Sequence, residues 1–181
     1  MRKYRLLAIS GSLRAASLNS AVLRMAATLT PDDAQIHIYE GLADLPHFNP
    51  DLEGREAASV LDLRRRLRDA DGVLIACPEY AHGLPGAFKN ALDWVVASGE
   101  FVNKPVALIN LFERSTWAPA LLKETLAMMT ANVVEPASVT LQLFSNKVSE
   151  DFIMADVKIA QALRSSLDAL MQAIKEQETG T

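Results

Sequence analysis

Three short stretches of this chain are apolar almost without interruption: LLAI (residues 6–9), GVLIAC (72–77) and VALINL (106–111). Runs of four to six residues suit strands better than helices. A strand that is apolar throughout needs cover on both faces, which only a sheet sandwiched between helices provides. Two further segments, QIHIY (35–39) and VTLQL (139–143), alternate apolar with polar side chains, as a strand at a sheet edge does.

Between these strands the apolar spacing becomes helical. The sets are Val22, Met25, Ala26 and Leu29; Val60, Leu63, Leu67 and Ala70; Phe88, Ala91, Leu92 and Val95; and Leu121, Leu122, Met128 and Met129. A long last helix is expected from Ile153 through Val157, Ala160, Leu163, Leu167 and Leu170 to Ile174. Five strands alternating with five helices predict an α/β fold with a doubly wound, five-stranded parallel sheet. The alternating second and fifth strands belong at the edges, which gives the order 2-1-3-4-5 with helices on both faces. No linker or low-complexity tract divides the chain, so residues 1–181 are expected to form a single domain.

Composition narrows the function. A net charge of −4 argues against a nucleic-acid partner. No apolar run approaches the roughly 18 residues that cross a bilayer, so no membrane association is expected. The lone Cys77 excludes an intrachain disulfide and fits a cytoplasmic protein. His37, His47 and His82 lack metal-ligand spacing, so no metal site is expected, and GxSxG, GxGxxG and Walker A motifs are absent. The basic run RRRLR (64–68) is flanked by Asp62, Asp69 and Asp71 and reads as a solvated helix face.

In a doubly wound sheet, ligands bind beyond the carboxyl ends of the strands, where the strand order reverses. Here those loops are SGSLRAASLNS (10–20) and CPEYAHGLPGAFKN (77–90). The first runs straight into a helix, whose opening N–H groups and dipole attract an anion. Ser12, Ser17 and Asn19 add hydrogen-bond donors, and Arg14 adds a fixed charge in a fork suited to phosphate. Helix capping by Ser17 or Asn19 is the plainer alternative, but it leaves Ser12 and Arg14 unexplained. A grip of this kind suits a mononucleotide. In the second loop, Tyr80 can flank a flat ring and Gly83 permits close backbone approach.

Taken together, the two loops resemble the NADPH-dependent FMN reductase family of flavodoxin-like flavoproteins, which includes quinone, azo-dye and chromate reductases. The resemblance rests on Gly11-Ser12-Leu13-Arg14, Ser17 and Asn19, and on Pro78-Glu79-Tyr80 with Gly83, Pro85, Gly86, Lys89, Asn90, Asp93 and Trp94. LPHFNPDLE (45–53) and KPVALI (104–109) fit as well. The resemblance implies a flavodoxin-like fold with FMN as cofactor. Ser12, Arg14, Ser17 and Asn19 would bind its phosphate, and Pro78, Glu79, Tyr80 and Ala81 would lie along its ring.

No catalytic side chain is implied, because the flavin carries the chemistry. NADPH or NADH would be the electron donor, and a quinone-like molecule or free flavin the acceptor, in ping-pong hydride transfer. A homodimer or homotetramer is implied, with Lys89, Asn90, Asp93 and Trp94 structural or at the interface. The chain departs from the family in LFERSTWAPA (111–120), which lacks the usual glycines; the bulky Phe112 and Trp117 are expected either to form an apolar wall beside the flavin or to narrow the site. Ala81 replaces a frequent Asn, and His82 comes near the ring. A flavodoxin-like electron carrier, and a member that no longer binds FMN, remain as alternatives.

Overall fold

The computed structural model describes residues 2–143, 145 and 147–180. The strands are β1 (Tyr4–Ser10), β2 (Ala34–Tyr39), β3 (Gly72–Ala76), β4 (Pro105–Asn110), β5 (Asn132–Val133) and β6 (Val139–Thr140). The helices are α1 (Leu18–Thr28), α2 (Ala58–Asp69), α3 (Gly86–Val95), α4 (Trp117–Met128), α5 (Glu150–Ala155) and α6 (Val157–Thr179). The sheet is parallel in the order β2-β1-β3-β4-β5, with β6 also paired to β4. This is the flavodoxin-like doubly wound arrangement.

Alternation within each central strand divides the core into two. Leu6, Ala8, Leu74, Ala76, Ala107 and Ile109 face one side, where α1, α5 and α6 pack. Leu7, Ile9, Val73, Ile75, Val106 and Leu108 face the other, under α2, α3 and α4. Both faces are dry, which is why these strands read as continuous apolar runs.

Two expectations need correction. The fifth strand is not a single run over 139–143: the outer edge of β4 is covered in two pieces, with Val106 opposite Val133 and Ile109 opposite Val139. Ser138 Oγ spans the gap by accepting from Leu108 N at 3.1 Å. The last helix is likewise divided. Asp156 leaves helical geometry (φ −80, ψ 109), and its Oδ1 accepts from Lys158 N (2.8 Å) and Ile159 N (3.1 Å). An aspartate that offers its own carboxylate to the backbone ends one helix and caps the next. The stray piece, α5, is fastened to α1 by a two-point Arg24–Glu150 pair, both contacts at 2.6 Å.

Two of the α3 residues, Asn90 and Trp94, hold a neighbouring loop. Asn90 Oδ1 accepts from Phe48 N (2.7 Å), Asn90 Nδ2 donates to Pro46 O (2.9 Å), and Trp94 Nε1 donates to the same carbonyl (2.7 Å). The loop after β2 is thereby pinned to α3. Lys89 and Asp93 pair one turn apart along the helix. The RRRLR run is absorbed locally: Arg64 reaches Glu56 and the Trp94 carbonyl, Arg65 and Arg66 share Asp62, and Arg68 faces Glu100.

Candidate functional site: a cleft at the carboxyl end of the sheet

A cavity of about 210 Å³ opens beyond the carboxyl ends of β1, β3 and β4. Its first wall is the turn into α1. Ser17 caps that helix, its Oγ accepting from Ser20 N at 3.5 Å, and the first turn carries no acidic residue. Ser12 Oγ accepts from Arg14 N at 3.3 Å, and Ser10 Oγ accepts from Ser20 Oγ at 2.9 Å, which folds the loop back on the strand end. The capping alternative therefore holds for Ser17 and for no other residue of the four.

Ser12, Arg14, Ser17 and Asn19 all line the cavity. Asn19 is 6% exposed, and its Oδ1 is buried with no hydrogen-bond partner among the described residues. A buried carboxamide left unpaired costs about 1–3 kcal/mol, so its native surroundings should include a polar partner. A half-turn of the side chain offers an N–H in place of the oxygen.

The second wall comes from β3. Gly11 lies so close to it that a Cβ there would fall 2.6 Å from Cys77 Sγ and 3.2 Å from Cys77 Cα. This contact explains the glycine and draws the two loops together. Burial pushes the Cys77 thiol up to about 12, so it is a neutral packing group rather than a nucleophile. Pro78, Glu79 and Tyr80 line the cavity with it. Ala81, expected beside them, does not. It forms a two-residue turn with His82, closed by Tyr80 N to Gly83 O and Gly83 N to Tyr80 O, both at 3.0 Å. Both turn residues have positive φ (49 and 58), the geometry that hairpins of this length need and that Asn and Gly accept most readily. Alanine, whose Cβ disfavours positive φ, holds this turn at a cost.

The third wall is the loop between β4 and α4. Asn110, Phe112, Arg114 and Ser115 all line the cavity. Asn110 Nδ2 shapes this loop by donating to Phe112 O (2.9 Å) and Ser115 O (3.0 Å). Phe112 sits where expected. Trp117 does not: it is 60% exposed, outside the cavity, and stacked on His82 with ring centroids 5.3 Å apart. Arg114 places its guanidinium 4.6 Å from the Phe112 ring centroid, so this side is cationic as well as apolar. The available signal was position, since a loop beyond the carboxyl end of a central strand is a binding wall whatever its residues.

The family model for NADPH-dependent FMN reductase matches residues 4–146. The chain belongs to the NADPH-dependent FMN reductase family. It is 29% identical over 172 residues to an NAD(P)H-dependent FMN reductase of Pseudomonas aeruginosa, covering 92% of each chain. It is 34% identical over 110 residues to the quinone reductase of Escherichia coli K12, a match covering 59% of this chain and 58% of that enzyme. The chain thus spans little more than half the length of the quinone reductases it matches. Among solved structures it is similar to FerB, a flavoenzyme NAD(P)H:(acceptor) oxidoreductase from Paracoccus denitrificans. That likeness has a TM-score of 0.74 and 28% identity, and covers 96% of this chain and 98% of FerB.

The lining suits the phosphate end of the family's cofactor: a capped helix start with no acidic residue in its first turn, a buried carboxamide whose oxygen lacks a partner, and Arg14 on the same wall.

Proposed function

We propose that this protein is an FMN-dependent NAD(P)H oxidoreductase that reduces quinone-like acceptors or free flavin. The observation that carries this reading is the convergence of Ser12, Arg14, Ser17 and the unpaired Asn19 amide on one cavity with Pro78, Glu79 and Tyr80. Arg14, the hydroxyls and the α1 N-terminus would hold the cofactor phosphate, and the 78–80 backbone with Ala81 beyond it would flank the ring. FMN held there would supply hydride acceptance from the nicotinamide and electron delivery to the acceptor. The side chains bind and orient, and none is required as an acid or base. Donor and acceptor sharing this cleft would enter in turn, which is ping-pong behaviour.

The cavity is smaller than the roughly 300 Å³ at which whole-ligand pockets begin. Part of a mononucleotide would therefore lie at the open mouth, where a second subunit would cover it. Exposed Trp117 (60%), Leu121 (43%) and Met128 (75%) follow one another along α4, the helix that starts from the third wall, and supply apolar surface for a homodimer or homotetramer. No helix is long and apolar enough to cross a membrane among the described residues. The lone free thiol fits the cytoplasm.

The test is spectroscopic. Protein reconstituted with FMN should show flavin absorbance after gel filtration, and NADPH should bleach it without oxygen. Retention without bleaching would indicate an electron carrier; no retention would mean that FMN is not the cofactor.

A further inference from the structure

The cleft carries a second cation, on a wall other than the one that holds Arg14. Arg14 stands on the α1 wall and Arg114 on the opposite β4–α4 loop. Among the described residues neither guanidinium is held by a carboxylate. The acidic groups nearby are already engaged. Glu79 Oε2 accepts from Trp117 N (2.8 Å) and Ala118 N (2.9 Å), so its charge is spent on the start of α4. Glu113 Oε1 accepts from Gln142 Nε2 at 2.7 Å, across the loop. What remains is an arginine laid over the Phe112 ring, with Ser115 beside it on the same wall. A guanidinium steadied by an aromatic face keeps its N–H edge for a planar or tetrahedral oxyanion.

We infer that Arg114, steadied by Phe112, forms a second anion subsite that receives an anionic oxygen group of the substrate sharing the cleft with the cofactor. The inference rests on the flavoenzyme reading above. Two sources have this chemistry: the 2′-phosphate of NADPH, and a carboxylate or sulfonate on the electron acceptor. In either case the subsite selects by charge where the ring of Phe112 selects by flatness. It also overrides the expectation of a purely apolar wall, which would disfavour any second anion.

The experiment compares wild type with Arg114→Gln and Arg114→Lys, all loaded with FMN. Arg114 is exposed, and a circular dichroism spectrum verifies folding. Calorimetric titration with NADP+ and NAD+ reads the nucleotide arm. The kcat/KM ratio for a carboxylated over a neutral benzoquinone, at fixed NADH, reads the acceptor arm. FMN and riboflavin titrations of the apoprotein read the cofactor. Arg114→Gln should lower the NADP+ over NAD+ preference, or the anionic over neutral acceptor ratio, by about tenfold or more, the size of a charge-assisted hydrogen bond. Lysine should restore part of the loss. The arm that moves names the source. Unchanged ratios in both arms overturn the inference. So does a fall in FMN affinity matching that of Arg14→Ala with riboflavin unaffected, because Arg114 then grips the cofactor. A wild-type protein that takes up no FMN removes both readings; a flavin-loaded wild type with unmoved variant ratios removes this one alone.

Discussion

The Glu79 carboxylate caps a helix that begins 38 residues further along the chain, accepting from the backbone N–H of Trp117 at 2.8 Å and of Ala118 at 2.9 Å. Thr116, the local cap position of α4, makes no side-chain cap bond. One side chain thereby fixes the β3 loop to the β4–α4 loop, two walls of the same cleft. Glu79→Ala should cost about 1 kcal/mol, the usual worth of an N-cap. That corresponds to a fall in melting temperature of about 2–4 °C for a chain of this size. Glu79→Gln, which keeps an acceptor, should lose less. Equal melting curves for all three proteins would remove the cap from the account.

Arg14 is expected to act on the phosphate and not on the ring. Arg14→Ala should weaken FMN binding by about 1.5–3 kcal/mol, as for a hydrogen bond to a charged group. Riboflavin, lacking the phosphate, should bind variant and wild type alike. Fluorescence titration of the apoprotein with both flavins decides it, and an unchanged FMN affinity would sink the role.

Ala81 at φ 49 is an L-residue with a Cβ in the left-handed region. Ala81→Gly should remove the steric cost, of order 1–2 kcal/mol, less what the freer unfolded chain regains. A net stabilisation of about 0.5–1 kcal/mol in urea unfolding is expected, with Ala81→Asn intermediate. Destabilisation by glycine would mean that the positive φ is absent in solution.

Gly11→Ala places a methyl 2.6 Å from Cys77 Sγ and 3.2 Å from Cys77 Cα. The cost should be about 1–3 kcal/mol, typical of overpacking, with weaker FMN binding as the two loops part. Adding Cys77→Ala should recover only part of it, because the backbone contact persists. Full additivity of the two changes in a double-mutant cycle would show that the contact does not exist.

Cys77 gives the pH prediction. Burial lifts its thiol to about 12, above the ordinary value of roughly 8.5. At pH 8 the native thiol then stays almost wholly protonated, so a disulfide reagent should label the native protein much more slowly than the urea-unfolded protein. Because the folded state favours the neutral thiol, this group stabilises fully below about pH 8.5, and its contribution falls as pH rises toward 12. Rapid native labelling at pH 8 would contradict the burial.

The central sheet was legible because β1, β3 and β4 are buried on both faces, a condition that leaves a run of Leu, Ile, Val and Ala in any sequence. The edge beyond β4 was not, because its pairing lies in two-residue pieces and a serine hydroxyl, below the length at which alternation can be read. Asp156 fell within a convincing helical period, and only its side-chain geometry reveals the break. In the site, the α1 loop declared itself through clustered donors. Arg114 and Ser115 did not, since an arginine and a serine on a loop are ordinary surface residues until a cavity forms around them. Glu79 as a cap could not be read locally, because its partners belong to another helix.

The divided strand beyond β4 has a consequence for how copies of this chain can meet. A sheet invites another sheet when its outermost strand is long, straight and unpaired. Here the last rungs on that side are Asn132–Val133 and Val139–Thr140, separated by a 3-10 turn at Glu135–Ala137. Two residues set no register, and the turn bends the backbone away before a third can join. Strand-to-strand growth is thereby closed off along this border, and any contact made here falls to side chains instead of backbone.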